Sequence, residues 1–159
     1  MASGKTSKGQ KLARELNIPF IDLDREIENL EKKSISSIFE NNGEEYFRSA
    51  EGKVLRSIPK YEQVIIAIGG GTPCFNGNMD YIKGFGTTVY IKRSESIILG
   101  RLRKSKQKRP LVANLSDEEL KTFISTTLDQ RRPYYEKAQV TFDADKDKLS
   151  DLVKILVGE

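Results

Sequence analysis

Short unbroken apolar runs alternate along the chain with stretches whose apolar positions recur at helical spacing. Leu12, Ala13 and Leu16 fall on one face of a predicted helix from Lys5 to Leu16, closed by Asn17. PFIDLD, residues 19–24, is a short β-type run, and helical stretches then open at Ser34 and after Gly43. QVIIAI (63–68) and TTVYI (87–91) are apolar strands, the first of the kind buried on both faces. Ser94 caps a helix running towards Arg103, whereas Lys104 to Asn114 is polar, basic and carries a proline, and reads as a mobile loop. Ser116 and Glu119 have capping-box spacing, Val140 to Phe142 is a final strand and Lys148 to Val157 a final helix. Strands alternating with helices predict one α/β domain over residues 1–159, with a parallel sheet covered on both faces.

Composition narrows this picture. A chain of 159 residues can bury a real core yet fits a single domain, and 37% hydrophobic with 31% charged residues suits a soluble globular protein. The longest apolar run, Val64 to Ile68, falls far short of the roughly 20 residues that span a bilayer. The N-terminus has no apolar core of the signal-peptide kind. One cysteine, Cys74, cannot form an internal disulfide, so a reducing cytoplasm is the default location, and Cys74 itself reads as a small buried residue. The net charge of +4 mildly favours anionic ligands. The chain has 0 histidines, which excludes Ser–His triads, histidine-ligated metals and histidine bases, and leaves acid–base work to Asp, Glu, Lys, Tyr or Cys.

Several clusters could carry chemistry. Gly4-Lys5-Thr6, at a helix start, matches the closing half of the phosphate loop G-x-x-x-x-G-K-[ST], whose first glycine would fall two residues before Met1. In such a loop, backbone N–H groups and the helix N-terminus hold phosphate oxygens, the lysine reaches the outer phosphates and the hydroxyl binds Mg²⁺. Asp22 and Asp24 close a β-type run, where ligands of open parallel sheets bind; they could serve Mg²⁺ and a substrate hydroxyl, or Asp24 could merely cap the next helix. Gly69-Gly70-Gly71 directly follows a strand and permits close backbone approach or positive φ. Arg48 and Glu51 could form a surface pair worth only about 0.2–0.5 kcal/mol. Alternatively, Glu51 holds the Arg48 guanidinium as a planar fork for a carboxylate. RLRKSKQKRP, residues 101–110, reads as a phosphate-closing lid or a nucleic-acid patch; without interleaved aromatics the lid ranks first. RRPYY, residues 131–135, ends a helix.

In order, G-K-T, D-x-D, F-R-x-x-E, G-G-G, R-P in a basic loop and R-x-P-x-Y resemble shikimate kinase, from Met1 to about Gln139, with a final strand and helix that also fit. The resemblance implies a three-layer αβα P-loop kinase fold, with a lid at about 104–115, that moves the ATP γ-phosphoryl to the 3-hydroxyl of shikimate on the route to aromatic amino acids. It implies that Ala2, Ser3, Gly4, Lys5, Thr6, Ser7 and Arg109 bind ATP, with Lys5 and Arg109 on its phosphates. Thr6 would bind Mg²⁺, with Asp22 near the metal through water. Asp24 would hold the shikimate hydroxyls and act as base, Arg48 and Arg131 would clamp the carboxylate, and the Gly70 backbone would contact substrate. A monomer with no nucleic-acid or membrane partner is expected.

The family runs a strand and a glycine into this loop, commonly as G-x-M-x-x-G-K-[ST], and Met1 falls where the internal methionine often stands. The expectation is therefore a chain starting at an internal Met, without its first, central strand and half the loop. Alternatives are a kinase of the same fold for another acid such as gluconate, an inactive or regulatory shikimate-binding protein, or a basic nucleic-acid module.

Overall fold

The computed structural model describes residues 2–59, 63–105 and 112–158. Helix α1 (Lys5–Leu16) starts after Gly4 and ends on Asn17, whose left-handed backbone lets its N–H reach the carbonyls of Ala13 and Arg14. Strand β1 (Phe20–Asp22) leads directly into α2 (Leu23–Glu31). Helix α3 (Ile35–Ser57) opens on Ser34, whose hydroxyl accepts the Ser37 N–H, and kinks at Gly43 (φ 79°, ψ 173°), dividing it where the sequence placed two helical stretches. Strand β2 (Ile65–Ala67), a 3₁₀ turn (Thr72–Cys74), α4 (Asn78–Lys83), β3 (Val89–Lys92) and α5 (Glu95–Ser105) follow. The chain closes with α6 (Asp117–Tyr135), β4 (Val140–Asp143) and α7 (Leu149–Val157), and the expected Ser116–Glu119 capping box is present.

Every strand pair is parallel, as the alternation predicts, but the sheet is in two pieces. Phe20 to Asp22 pair with Ile65 to Ala67, and Val89 to Lys92 pair with Val140 to Asp143. Among the described residues no strand lies between β2 and β3. A cavity of about 990 Å³ lies there instead. Its lining includes consecutive residues of both strands, Ile65-Ile66-Ala67 and Val89-Tyr90-Ile91. Successive strand residues point to opposite faces, so a cavity touching all of them runs along the strand edges rather than over one face. Leu12 and Leu152 close one side and Leu55 and Met79 are also in the wall. The paired strands are correspondingly short: β2 covers three residues of the expected six, since an edge with no partner stops the ladder early.

The buried core falls into three clusters, and Ile65 of β2 packs against the third together with Val89, Ile91 and Val140 of the other strand pair. Leu23, Ile27, Ile38, Phe47, Val54 and Leu55 form one cluster, Ile98, Leu102, Val112, Leu120 and Ile124 a second, and Leu12, Phe142 and Leu152 a third. A domain of this size ordinarily has one contiguous core; here the space at its centre is the cavity. Helix α1 joins the parts, packing against both β2 and α7.

The sequence reading missed the 3₁₀ turn and α4, short elements set by Pro73 and by Gly77, which caps α4 at φ 65°. Helix α5 continues through Lys104 and Ser105, two residues into the expected loop. The rest of that segment, 106–111 with Arg109, lies outside the described residues, while Val112 is already buried against Leu120 and Ile124. Among the described residues no helix is long and apolar enough to cross a membrane.

Candidate active site

The amino end of α1 builds the first part of the site. Gly4 takes φ 92°, a left-handed conformation that other residues rarely adopt, and a Cβ there would lie 3.0 Å from Arg101 Nη1. No side chain caps this helix, so its first-turn N–H groups have no capping side chain and are available to an anion. Two arginines hold the preceding backbone: Arg101 Nη1 donates to the Ala2 carbonyl at 3.0 Å and Arg93 Nε to the Ser3 carbonyl at 3.1 Å. Arg93 is braced by Asp145 at 2.9 Å. The Ser94 amide donated to Asp145 holds that carboxyl below the usual carboxylate range. Lys8 lies over the Phe142 ring, and burial first, then the charges of Arg93, Lys11 and Arg101, lower its pKa. That crowding of positive charge is what an anion would relieve.

The D-x-D pair sits at the carboxyl end of β1. Asp22 is the residue that caps α2, accepting the Asp24 N–H at 3.1 Å, so the expectation that Asp24 could be only a cap is corrected: Asp24 lies inside the first turn with its carboxylate free for other partners. Lys5 Nζ reaches Asp24 Oδ2 at 3.3 Å and Asp22 Oδ1 at 3.6 Å, and the Thr6 hydroxyl donates to Asp22 Oδ2 at 2.8 Å. This donor set fits Mg²⁺, which is ordinarily held by one or two carboxylates together with substrate phosphates and water. A cluster of three or more protein ligands is absent among the described residues. The uncapped amides with Lys5, Arg93 and Arg101 nearby fit a polyphosphate.

The glycine run follows β2. None of Gly69, Gly70 and Gly71 has positive φ, so of the two expected uses only close approach remains. What they provide is room. A Cβ at Gly71 would stand 2.5 Å from Arg48 Nη2, closer than any real contact allows. At Gly69 it would meet Thr72 Oγ1 at 3.0 Å, Glu51 Oε1 at 3.3 Å and Asp24 Oδ1 at 3.5 Å. The three sequence clusters D-x-D, F-R-x-x-E and G-G-G therefore converge on one point.

Glu51 is 1% exposed, and Arg48 Nη1 donates to its Oε2 at 2.9 Å, so the pair is a buried brace and not a surface contact. The Arg48 guanidinium lies 5.1 Å from the Phe47 ring and 4.3 Å from the Phe75 ring. Its Nε and Nη2 edge, the fork that matches a carboxylate, donates to Glu44 Oε1 at 3.2 and 3.1 Å. From α6, the Tyr135 hydroxyl donates to the Gly70 carbonyl at 2.6 Å, with the charge of Arg131 acting on it. Burial pushes the Tyr135 phenol up. Burial raises the pKa of the half-buried Cys74 thiol, against which the charges of Arg131 and Arg48 act.

Thr72, Asn78, Tyr135, Arg93 and Asp145 escaped the sequence reading as site residues. Thr72 had one signal, a hydroxyl directly after three glycines; the others are brought in by packing between distant segments.

The shikimate kinase family model matches residues 1–157. A shikimate kinase of Phocaeicola vulgatus is 44% identical over 146 residues, 92% of this chain and 83% of that protein. One of Azobacteroides pseudotrichonymphae is 42% identical over 158 residues, 99% of this chain and 93% of that protein. The crystal structure of shikimate kinase from Bacteroides thetaiotaomicron superposes with a TM-score of 0.89 at 39% identity, covering 99% of this chain and 92% of that one. Shikimate kinase from Acinetobacter baumannii in complex with shikimate gives 0.86 at 30% identity, covering 99% and 86%. The family match over nearly the whole chain, the likeness in sequence and the likeness in fold lead to the same conclusion: this chain belongs to the shikimate kinase family.

Proposed function

We propose that the chain transfers the γ-phosphoryl group of ATP to the 3-hydroxyl of shikimate, the step that feeds chorismate and aromatic amino-acid synthesis. The observation that carries this reading is the line of neighbouring groups from a proposed phosphate site to a proposed carboxylate site. Lys5 touches Asp24, Asp24 faces Gly69, Gly69 adjoins Glu51, and Glu51 holds Arg48. A donor and an acceptor bound at its two ends would meet at Asp24.

The residues then divide the work. The α1 amides from Lys5 to Ser7, with the backbone of Ala2, Ser3 and Gly4, cradle phosphate oxygens, and Lys5 leaves its carboxylates to neutralise the outer phosphates; Arg109 of the lid adds to them. Mg²⁺ would be held by the Thr6 hydroxyl and by Asp22, directly or through water; when bound it supplies positive charge against the phosphate oxygens. Arg48 and Arg131 bind the acceptor carboxylate, and the Gly70 backbone contacts the ring. Asp24 orients the acceptor hydroxyl and accepts its proton as the new oxygen–phosphorus bond forms and the bond to ADP breaks. Positioning and electrostatics carry most of such a reaction, so the lack of histidine is no obstacle. The same reading takes the chain as a cytoplasmic monomer with no nucleic-acid or membrane partner, in keeping with its modest net charge.

A coupled ADP-release assay with shikimate and gluconate in parallel, with and without Mg²⁺, tests it. Metal-dependent turnover on shikimate is expected; turnover on gluconate alone would replace the acceptor, and shikimate binding without nucleotide binding would make the chain a binding protein.

A further inference from the structure

Glu51 is a carboxylate at 1% exposure, where an imperfectly paired charge is costly. Its two oxygens are served from opposite sides. Oε2 accepts Arg48 Nη1 at 2.9 Å, and Oε1 accepts the hydroxyl of Thr72, itself fully buried, at 2.6 Å. Thr72 is fixed in turn: its carbonyl accepts Asn78 Nδ2 at 3.0 Å, and Asn78 Oδ1 accepts Arg56 Nη1 at 2.8 Å. Arg56 also donates to the Asn76 carbonyl at 3.0 Å, and Asn76 Nδ2 donates to the Arg48 carbonyl at 3.0 Å. The path thus returns to Arg48, holding its backbone through Asn76 and its side chain through Glu51.

We propose that Thr72 is a positioning residue for the acceptor carboxylate: its hydroxyl sets the rotation of the Glu51 carboxyl and, through it, the direction in which Arg48 presents its guanidinium. This rests on the reading of Arg48 as an acceptor ligand. The terminal torsion of a glutamate is broad, so one hydrogen bond leaves the carboxyl plane soft. A second donor on the other oxygen fixes that plane. Gly71 leaves no slack beside the guanidinium, because even a hydrogen-to-methyl change there would collide with it. A turned carboxyl therefore moves the fork that a bidentate ligand must match.

Valine has the shape of threonine without the hydroxyl, and serine has the hydroxyl without the methyl. Wild type, Thr72→Val and Thr72→Ser are compared by shikimate titration, by ATP titration and by NMR of the arginine side-chain N–H groups in the ligand-free chain. The valine variant is expected to bind shikimate about tenfold more weakly, the scale of a hydrogen bond to a charged group, with ATP affinity unchanged. Arg48 guanidinium rotation should speed up, and serine should restore both readouts. Wild-type shikimate affinity with slow Arg48 rotation in the valine variant overturns the proposal. So does equal weakening by valine and serine, or equal weakening towards both ligands, since either marks a packing role only. If the wild type binds no shikimate, the acceptor reading has failed separately, and Arg48 rotation alone decides the role of Thr72. Should the valine variant not fold, Thr72→Ala is read in the same way.

Discussion

On the proposed reading, Asp24 and Glu44 are side chains whose partners change as a substrate enters. Asp24 is paired with Lys5 at 3.3 Å, an arrangement that phosphate oxygens would compete away, leaving the carboxylate to an acceptor hydroxyl. Asp24→Asn keeps the shape and removes the proton acceptor, so kcat should fall about 10²–10⁴-fold with ATP affinity nearly intact. An asparagine variant within a few-fold of wild type in single-turnover measurements would remove the base role. Glu44 occupies the Nε and Nη2 edge of Arg48 from an exposed position, as an acceptor carboxylate would. On that reading the acceptor displaces it. Glu44→Gln weakens the competitor without touching the Glu51 brace, and shikimate affinity should rise about two- to threefold, the scale of an exposed helix pair. An unchanged or weaker affinity by titration would mean that Glu44 does not stand in the carboxylate's place.

At the scale of elements, the helices were the most legible part of the chain. Asn17, Ser34 and the Ser116–Glu119 box mark real boundaries because caps act locally, through hydrogen bonds within a turn. The site was legible as clusters but not as a network: D-x-D and G-G-G stand at strand ends in the sequence, yet only the fold shows that Gly69 is their meeting point and that Thr72 braces Glu51. The first three strands are shorter than expected because pairing depends on neighbours far away in sequence, and among the described residues β2 and β3 lack one on their facing edges. The cavity between those edges has the lining that a parallel strand apolar on both faces requires. An apolar segment of about five residues, fused ahead of Met1 through a glycine-containing loop, should occupy it and raise the urea midpoint. It should also tighten ATP binding by adding loop N–H donors. Equal midpoints and equal affinity for the two chains would show that the cavity does not accept a strand.

For the molecule as a whole, the clearest electrostatic feature is the concentration of Lys8, Lys11, Arg93 and Arg101 around the start of α1. The folded Lys8 is lowered from 10.5, so its charged form is disfavoured before a ligand arrives. A polyphosphate there favours the charged form and moves the pKa back up. In the pH window just below 10.5, binding should therefore be accompanied by proton uptake, whereas near neutrality, where the amine is already protonated, it should not. Calorimetry in two buffers of different ionisation enthalpy reads the difference; uptake of equal size in Lys8→Met would assign it to another group.

The cavity between the two strand pairs gives α1 a further consequence. Gly9 packs on Phe20 and Ile65 of one strand pair, Leu12 packs with Phe142 and Leu152, and the helix's amino end is the proposed phosphate site. The helix thus contacts both β2 and α7, and on the proposed reading its hold depends on what sits at its end. Without nucleotide, amides of β1 and β2 and those of β3 and β4 should open with different free energies in native-state hydrogen exchange. Nucleotide should raise both towards a common value, because stabilising α1 links the two strand pairs. Protection gained by one pair alone would mean that the coupling runs elsewhere.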